Sequence, residues 1–268
     1  PADRILYSIR DITATVPQIG LITASIISKK AAEGLERLVL DVKCGNAAFM
    51  QTKKDALALA KSMVTTGNSL GMKVTAQVTE MDNPIGMMFG NSHEIVECIQ
   101  CLKGEGPEDT MELVYAQADS LGYDIRANIA DGSALTEFRN MCIRQGVNEK
   151  DIDDIIHNPW SKLERSPNSV EIVSTSSGWI TDIHALTLGE ILCKLGAGRT
   201  GENPEINHGV GAELLVQRGS FIEEGKAWIR FDTESEMSSE MIDQAQDALT
   251  VSDSEVEIKG RILQIIEE

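Results

Sequence analysis

"RLVLDVKCGNAAFMQTKKDALALAKSMVTTGNSLGMKVTAQVT", residues 37–79, decides the fold class. Its opening "RLVLDVK" is a short, branched apolar run that reads as a buried strand ending in the small-residue loop "CGNAAFM". Between residues 55 and 70, Ala56, Leu59, Ala60, Met63 and Leu70 recur at helical spacing, and Gly71 supplies a stop. "KVTAQVT", residues 73–79, is the next strand. Strand, helix, strand in that order predicts a parallel βαβ unit. Functional residues then belong in the loops at the strands' carboxyl ends.

Working outward, "RDITATVPQIGLITASIISKK" (residues 10–30) reads as a strand-like run followed by an apolar helix with Ile19, Ile22 and Ile26 on one side. Downstream, "MDNPIGMMFGNS" is a turn-rich loop whose Asn91 or Ser92 can cap a helix striped by Ile95, Cys98, Ile99 and Leu102. "GPEDTMELVYAQADSLG" places Pro107 and three acids at a helix start, as the macrodipole favours. "SALTEFRNMCIRQG" is a further amphipathic helix closing on Gly146. After Trp160 the character changes. The polar connector "SKLERSPNS" leads to short strands, "VEIVS", "GWITDIH", "AELLVQRG", "AWIRFD" and finally "SEVEIKGRILQII". Helical stretches "LTLGEILCKLG" and "SSEMIDQAQDALTV" interrupt them, so a domain boundary is expected near residue 165.

The 268 residues suffice for a proper core, and 42% apolar with 25% charged content is that of a globular chain. Acids outnumber bases 42 to 24, a formal net charge of −18. A surface that negative repels phosphate backbones and anionic lipid, which argues against nucleic acid and membrane as partners. A small anionic ligand therefore needs individual Arg and Lys residues placed against the global field. The five scattered cysteines suit a reduced, cytoplasmic protein better than a disulfide framework.

Motif spacing offers several decoys. "GAGRTG" (residues 196–201) has G-x-G-x-x-G spacing but follows a helix rather than a strand, so it reads as a helix stop. "CIQC" (residues 98–101) has no second ligand pair for zinc and lies mid-helix, so packing accounts for it. His93, His157, His184 and His208 stand singly. Asp41 and Lys43 end a buried strand, either as functional groups or as a mutual ion pair. Ser25 and Lys29 are one turn apart on one helix face. With Arg10 they offer donors plus one adaptable hydroxyl, a set that suits a flat ring bearing two carbonyls with an N–H between them. If the ring leaves as an anion, the two cations stabilise the charge developing in the transition state. A solvated lysine and a surface arginine are the plain alternative.

"YSIRDITATV…LITASIISKK", then "LVLDVKCGNAAFM", "MDNPIGMMFGN" and "GAELLVQRG", resembles the thymidine/pyrimidine-nucleoside phosphorylase family, in order from Pro1 to about Phe231. The resemblance implies an α/β fold in three parts. These are the remainder of a small helical domain (1–34), a mixed or parallel-sheet α/β catalytic domain (35–165), and a β-rich α+β C-terminal domain (166–268). It implies reversible phosphorolysis of a pyrimidine nucleoside by inorganic phosphate, with the base held by Arg10, Ser25 and Lys29, and Arg10 and Lys29 catalytic. No organic cofactor is implied. A structural potassium ion is, through the carbonyls of Ile85 and Met88 and the carboxylate of Glu97, as is a homodimer.

The sequence departs from the family at Gly20, where proline is usual, and at Ala47, where a second glycine is common. The family's glycine-rich phosphate loop matches nothing between residues 1 and 268, and the chain opens "PADRILYSIRD" without Met. The expectation is therefore an N-terminally truncated member, inactive on thymidine by itself. The competing expectations are an inactive truncated paralogue acting as a binding protein, and a related phosphoribosyltransferase. The first is separated by reading the coding sequence upstream of Pro1, the second by comparing phosphate with pyrophosphate as co-substrate.

Overall fold

A computed structural model describes residues 2–199 and 205–267. In chain order its first half holds α1 (Ala2–Ile12), α2 (Ile19–Ala32), β1 (Arg37–Cys44), α3 (Lys53–Ser69), β2 (Lys73–Glu80), β3 (Met88–Phe89), α4 (Asn91–Leu102), α5 (Glu108–Leu121), α6 (Arg126–Ala130) and α7 (Ser133–Arg144). There follow α8 (Glu149–His157), β4 (Asn168–Val173), β5 (Gly178–Ile183), α9 (Ala185–Leu195), β6 (Gly211–Leu214), β7 (Phe221–Ile222), β8 (Ala227–Thr233), α10 (Ser239–Asp247), β9 (Leu249–Ser252) and β10 (Ile262–Ile266). The fold is mixed α/β. It forms two compact units, one of Pro1–Asp82, Leu113–Asp124 and Gly260–Glu268, the other of Asn83–Glu112 and Ile125–Lys259.

The first unit is built on the βαβ element read from residues 37–79. β1 and β2 pair in parallel from Arg37↔Lys73 to Cys44↔Glu80. α3 covers them with Ala56, Leu59, Ala60, Met63 and Val64, all buried with Val42, Val74, Ala76 and Val78. A Cβ on Gly67 would come within 2.4 Å of Val74, so the small residue lets helix and strand approach closely. The helix begins two residues before the expected start, because Thr52 accepts from the Asp55 amide at 3.2 Å and donates to its carboxylate at 2.7 Å. Leu70, expected on the apolar stripe, is instead the exposed C-cap, and the chain reverses at Gly71.

Two elements of this unit differ from the sequence reading. Residues 10–16 are not a strand. Arg10 lies in the last turn of α1, and the chain then turns through Ala14 at a φ of 54°. The β-branched run "ITATV" suggested extension, but the backbone carbonyls of Ile9 and Arg10 are taken up by the turn, bonding to the amides of Thr13 and Thr15. The second difference concerns "SEVEIKGRILQII", expected with the C-terminal strands. Its end, β10, pairs antiparallel with β2, giving the sheet order β1-β2-β10. That makes β2 the central strand, which is why Val74 to Thr79 are all buried.

The second unit carries two antiparallel sheets, in the orders β3-β6-β8-β4 and β7-β5-β9. The core between its elements includes Trp228, Phe231 and Ile229 of β8, Ile180 and Ile183 of β5, and Leu188 and Ile191 of α9. The short strands expected after Trp160 are present. The helix in "SSEMIDQAQDALTV" stops at Asp247, however, and its last residues form β9, pairing Val251 with Ile180 and Thr250 with Asp182. Thr and Val favour the pleated, half-buried surface that β5 offers.

α4 begins without the side-chain cap expected from Asn91 or Ser92. Its N-cap is Gly90, at a φ of 110°, where a Cβ would meet the Val210 carbonyl at 2.5 Å. Only glycine fits that approach. α9 ends on Gly196 in the left-handed conformation, so "GAGRTG" begins as a helix stop; its Thr200 and Gly201 lie outside the described residues.

Candidate functional site

α2 is held from one side. Its buried residues Thr23 and Ile27 face α3, where the Thr23 hydroxyl meets Ser62 Oγ at 2.9 Å. Residues two apart on a helix point to nearly opposite sides, so Ser25 and Lys29 stand away from that contact. Lys29 Nζ lies 3.4 Å from Ser25 Oγ. Both reach a third group that the sequence reading overlooked, Asp3 of α1. Ser25 Oγ donates to Asp3 Oδ1 at 2.8 Å and Lys29 Nζ to Asp3 Oδ2 at 3.0 Å. Hydrogen bonds from Lys29 and Ser25, aided by the charges of Lys29 and Arg10, hold the Asp3 carboxyl below its ordinary range. The partners of Asp3 lie 22 and 26 residues away, which is why no local pattern announced it.

Arg10 is close enough for its charge to act on Asp3, but its guanidinium is turned to the backbone. It donates to the carbonyls of Val16 and, at 3.4 Å, Leu21, pinning the turn between α1 and α2. The side chain is buried, its Nε has no hydrogen-bond partner among the described residues, and the Tyr7 ring lies 5.1 Å from the guanidinium carbon. The structure thus joins Ser25 and Lys29 directly, with Arg10 as a neighbouring fixed charge.

The loops after β1 and β2 meet at the strands' carboxyl ends. The Asn46 amide donates to Asp82 Oδ1 at 2.7 Å and its side chain to the Asp82 carbonyl at 2.9 Å. Asp41 and Lys43 form the ion pair that was one of their two readings, at 2.6 Å, with Thr79 and Gln117 also donating to the carboxylate.

In the second unit Glu97 is buried. Its Oε1 accepts from the amides of Met87 at 2.6 Å and Met88 at 3.2 Å. Burial pushes its carboxyl up to about 7 despite those two amides, with Asp109 and Glu94 adding to the rise. The loop reaches the carboxylate at Gly86, whose φ is 74° and whose Cβ would lie 2.2 Å from Oε2. The carboxylate oxygens, with the loop's backbone carbonyls, are ligands of the kind that hard cations take. Cys98 and Cys101 are free thiols held protonated by burial, Cys101 pushed up to about 11, in keeping with packing. No cluster of three or more His, Cys, Asp and Glu is arranged for a metal ion among the described residues. No helix among them is long and apolar enough to cross a membrane.

His93, which looked solitary, is buried against Asp232 of β8, with Nε2 2.9 Å from Oδ2. Arg165 Nε donates to the same oxygen at 2.7 Å, and the Trp160 ring packs against both His93 and Arg165, 4.9 Å from each. The network ties together α4, β8 and the segment after α8.

Comparison with known proteins agrees with the elements that carry this geometry. The model of the glycosyl transferase family, a/b domain, matches residues 1–135, and that of the pyrimidine nucleoside phosphorylase C-terminal domain matches residues 179–252. The chain therefore belongs to the glycosyl transferase family that has this a/b domain. Thymidine phosphorylase of Mus musculus is 39% identical over 271 residues, covering 94% of this chain and 58% of that protein. Pyrimidine-nucleoside phosphorylase of Bacillus subtilis is 36% identical over 266 residues, covering 94% and 60%. The chain thus spans somewhat over half the length of these relatives.

Proposed function

We propose that this chain is the base-binding part of a pyrimidine-nucleoside phosphorylase, which converts a nucleoside and inorganic phosphate to the free base and a pentose 1-phosphate. The observation carrying this reading is the Ser25–Lys29 pair, one turn apart on the face of α2 turned from α3 and 3.4 Å from each other. Phosphate oxygen bonds to the anomeric carbon as the C–N bond breaks and its electron pair moves onto the base. The positively charged, oxocarbenium-like sugar and the anionic base develop together. Lys29 donates to a base carbonyl and Ser25 accepts from the ring N–H, while the charge of Arg10 adds to the stabilisation of the departing anion. Names of the relatives and both family matches support the reading. In the intact gene product, thymidine or uridine should be consumed with phosphate and not with pyrophosphate. Free base without any requirement for phosphate would overturn it.

The same reading assigns residues 1–34, 35–165 and 166–268 to the helical remainder, the α/β domain and the C-terminal domain, with β10 returning to the sheet of β1 and β2. It makes the active species a cytoplasmic homodimer. It also places potassium at Glu97 with the carbonyls of Ile85 and Met88. There the ion supplies charge balance and loop order, not chemistry. Potassium should raise the melting temperature of this chain above that in an equal concentration of choline, and Glu97→Gln should abolish the difference. An equal rise in the variant would remove Glu97 from the site.

A further inference from the structure

The base pair of donors and acceptors proposed above depends on which way one hydroxyl points, and that is decided by Asp3. An ionised carboxylate is acceptor-only, so the Ser25 O–H must be the donor in the 2.8 Å contact with Asp3 Oδ1. Ser25 Oγ keeps two lone pairs; Lys29 approaches one, at 3.4 Å. The other lone pair is left to accept. Lys29 has three N–H groups, of which one goes to Asp3 at 3.0 Å and one to Ser25, leaving a single donor beside that acceptor. A donor next to an acceptor complements a carbonyl next to a ring N–H. It mismatches an aminopyrimidine such as cytosine, whose N3 is itself an acceptor. If the carboxylate were removed, the hydroxyl could rotate and donate, and N3 of cytosine would no longer face a fixed lone pair.

We infer that Asp3 is a positioning and specificity-determining residue, which by fixing Ser25 as acceptor and Lys29 as donor selects 2,4-dioxopyrimidines over aminopyrimidines. The inference rests on the proposed base site and extends it to a residue that touches the base only through its neighbours. Two further facts fit this role. Hydrogen bonds from Lys29 and Ser25, with the charges of Lys29 and Arg10, favour the ionised carboxyl, the state that enforces the hydroxyl direction. α2 itself is held by Thr23 and Ile27, so Asp3 orients side chains on a helix that is already anchored.

The test measures thymine and cytosine binding to this chain by calorimetry or ligand-observed NMR, with circular dichroism confirming the fold of each variant. The unaltered chain should prefer thymine by about tenfold or more, since a hydrogen-bonding site rejects an analogue that leaves its polar groups unpaired. Asp3→Asn and Asp3→Ala should each bring the ratio to within about threefold of unity, and Asp3→Glu should restore the preference. In the background of Ser25→Ala, changing Asp3 should leave the ratio where Ser25→Ala alone puts it, as expected for two residues acting as one unit. A thymine preference that persists in folded Asp3→Asn and Asp3→Ala, or a loss of both bases in equal proportion, overturns the inference while leaving the base site intact. Failure of the unaltered chain to bind either base overturns the base site, and the inference with it.

Discussion

Replacing Lys29 with alanine should lower the phosphorolysis turnover of the intact gene product by about 10²- to 10³-fold, the range for removing one preorganised group that stabilises a developing anion. The effect belongs in kcat more than in the apparent affinity for nucleoside, because the full negative charge on the base exists only as the C–N bond breaks. The ammonium is about half exposed and its contact with Asp3 is a surface ion pair, so the fold should tolerate the change with little loss of stability. Arg10→Ala should also lower turnover. It should in addition loosen the turn between α1 and α2, since the guanidinium is what ties Val16 and Leu21 together. Steady-state rates with thymidine and phosphate, beside the melting temperatures of both variants, separate the two roles. Normal rates in both would remove these residues from the chemistry.

Substituting Asp232 should have the largest effect on stability. The residue is 2% exposed and its carboxylate accepts from both His93 and Arg165. Asp232→Ala would leave the buried His93 without its partner and the part-exposed Arg165 without its ion pair, a loss of about 1–3 kcal/mol for a buried polar group left unsatisfied. Trp160, Trp179 and Trp228 all lie in the second unit, so tryptophan fluorescence during urea unfolding reports that unit specifically. An Asp232→Ala midpoint equal to that of the unaltered chain would show the network to be dispensable. The pH dependence follows from the same contacts. Burial by itself would raise the Asp232 carboxyl, but hydrogen bonds from His93 and Arg165, with the Arg165 charge, bring it below its ordinary value of 3.8. Its stabilisation is therefore complete above about pH 4 and is lost as pH falls through the lower folded value. Asp232→Asn should flatten that acid limb.

Much of the architecture was legible because it is local. β1, α3 and β2 announce themselves through runs of Val and Leu, a helical stripe and a glycine stop, and their parallel pairing follows from the length of the crossover. The antiparallel strands after Trp160 were legible for the same reason. Misreadings fell where long-range pairing overrides local preference. β-branched residues after Arg10 suggested extension, yet the segment closes a helix and turns. Thr250 and Val251 continued a helical pattern, yet β5 draws them into a sheet. β10 could not be assigned by its own composition, since what decides its place is the open edge of β2.

At the site, the amino-acid order alone determined that Ser25 and Lys29 share a helical face, since 3.6 residues per turn leaves no other arrangement once α2 forms. It also marked Arg10 as a charge at the start of an apolar stretch, whereas Glu97 stood out only through the family resemblance. Only the tertiary structure decided that Asp3 lies across from that face, that Arg10 turns its fork to two backbone carbonyls, that Glu97 is buried under its loop, and that solitary His93 meets Asp232 139 residues away. The physical reason is the same in each case. Helical periodicity acts over one or two turns, whereas a buried charge must find its partner wherever packing brings one within hydrogen-bond reach.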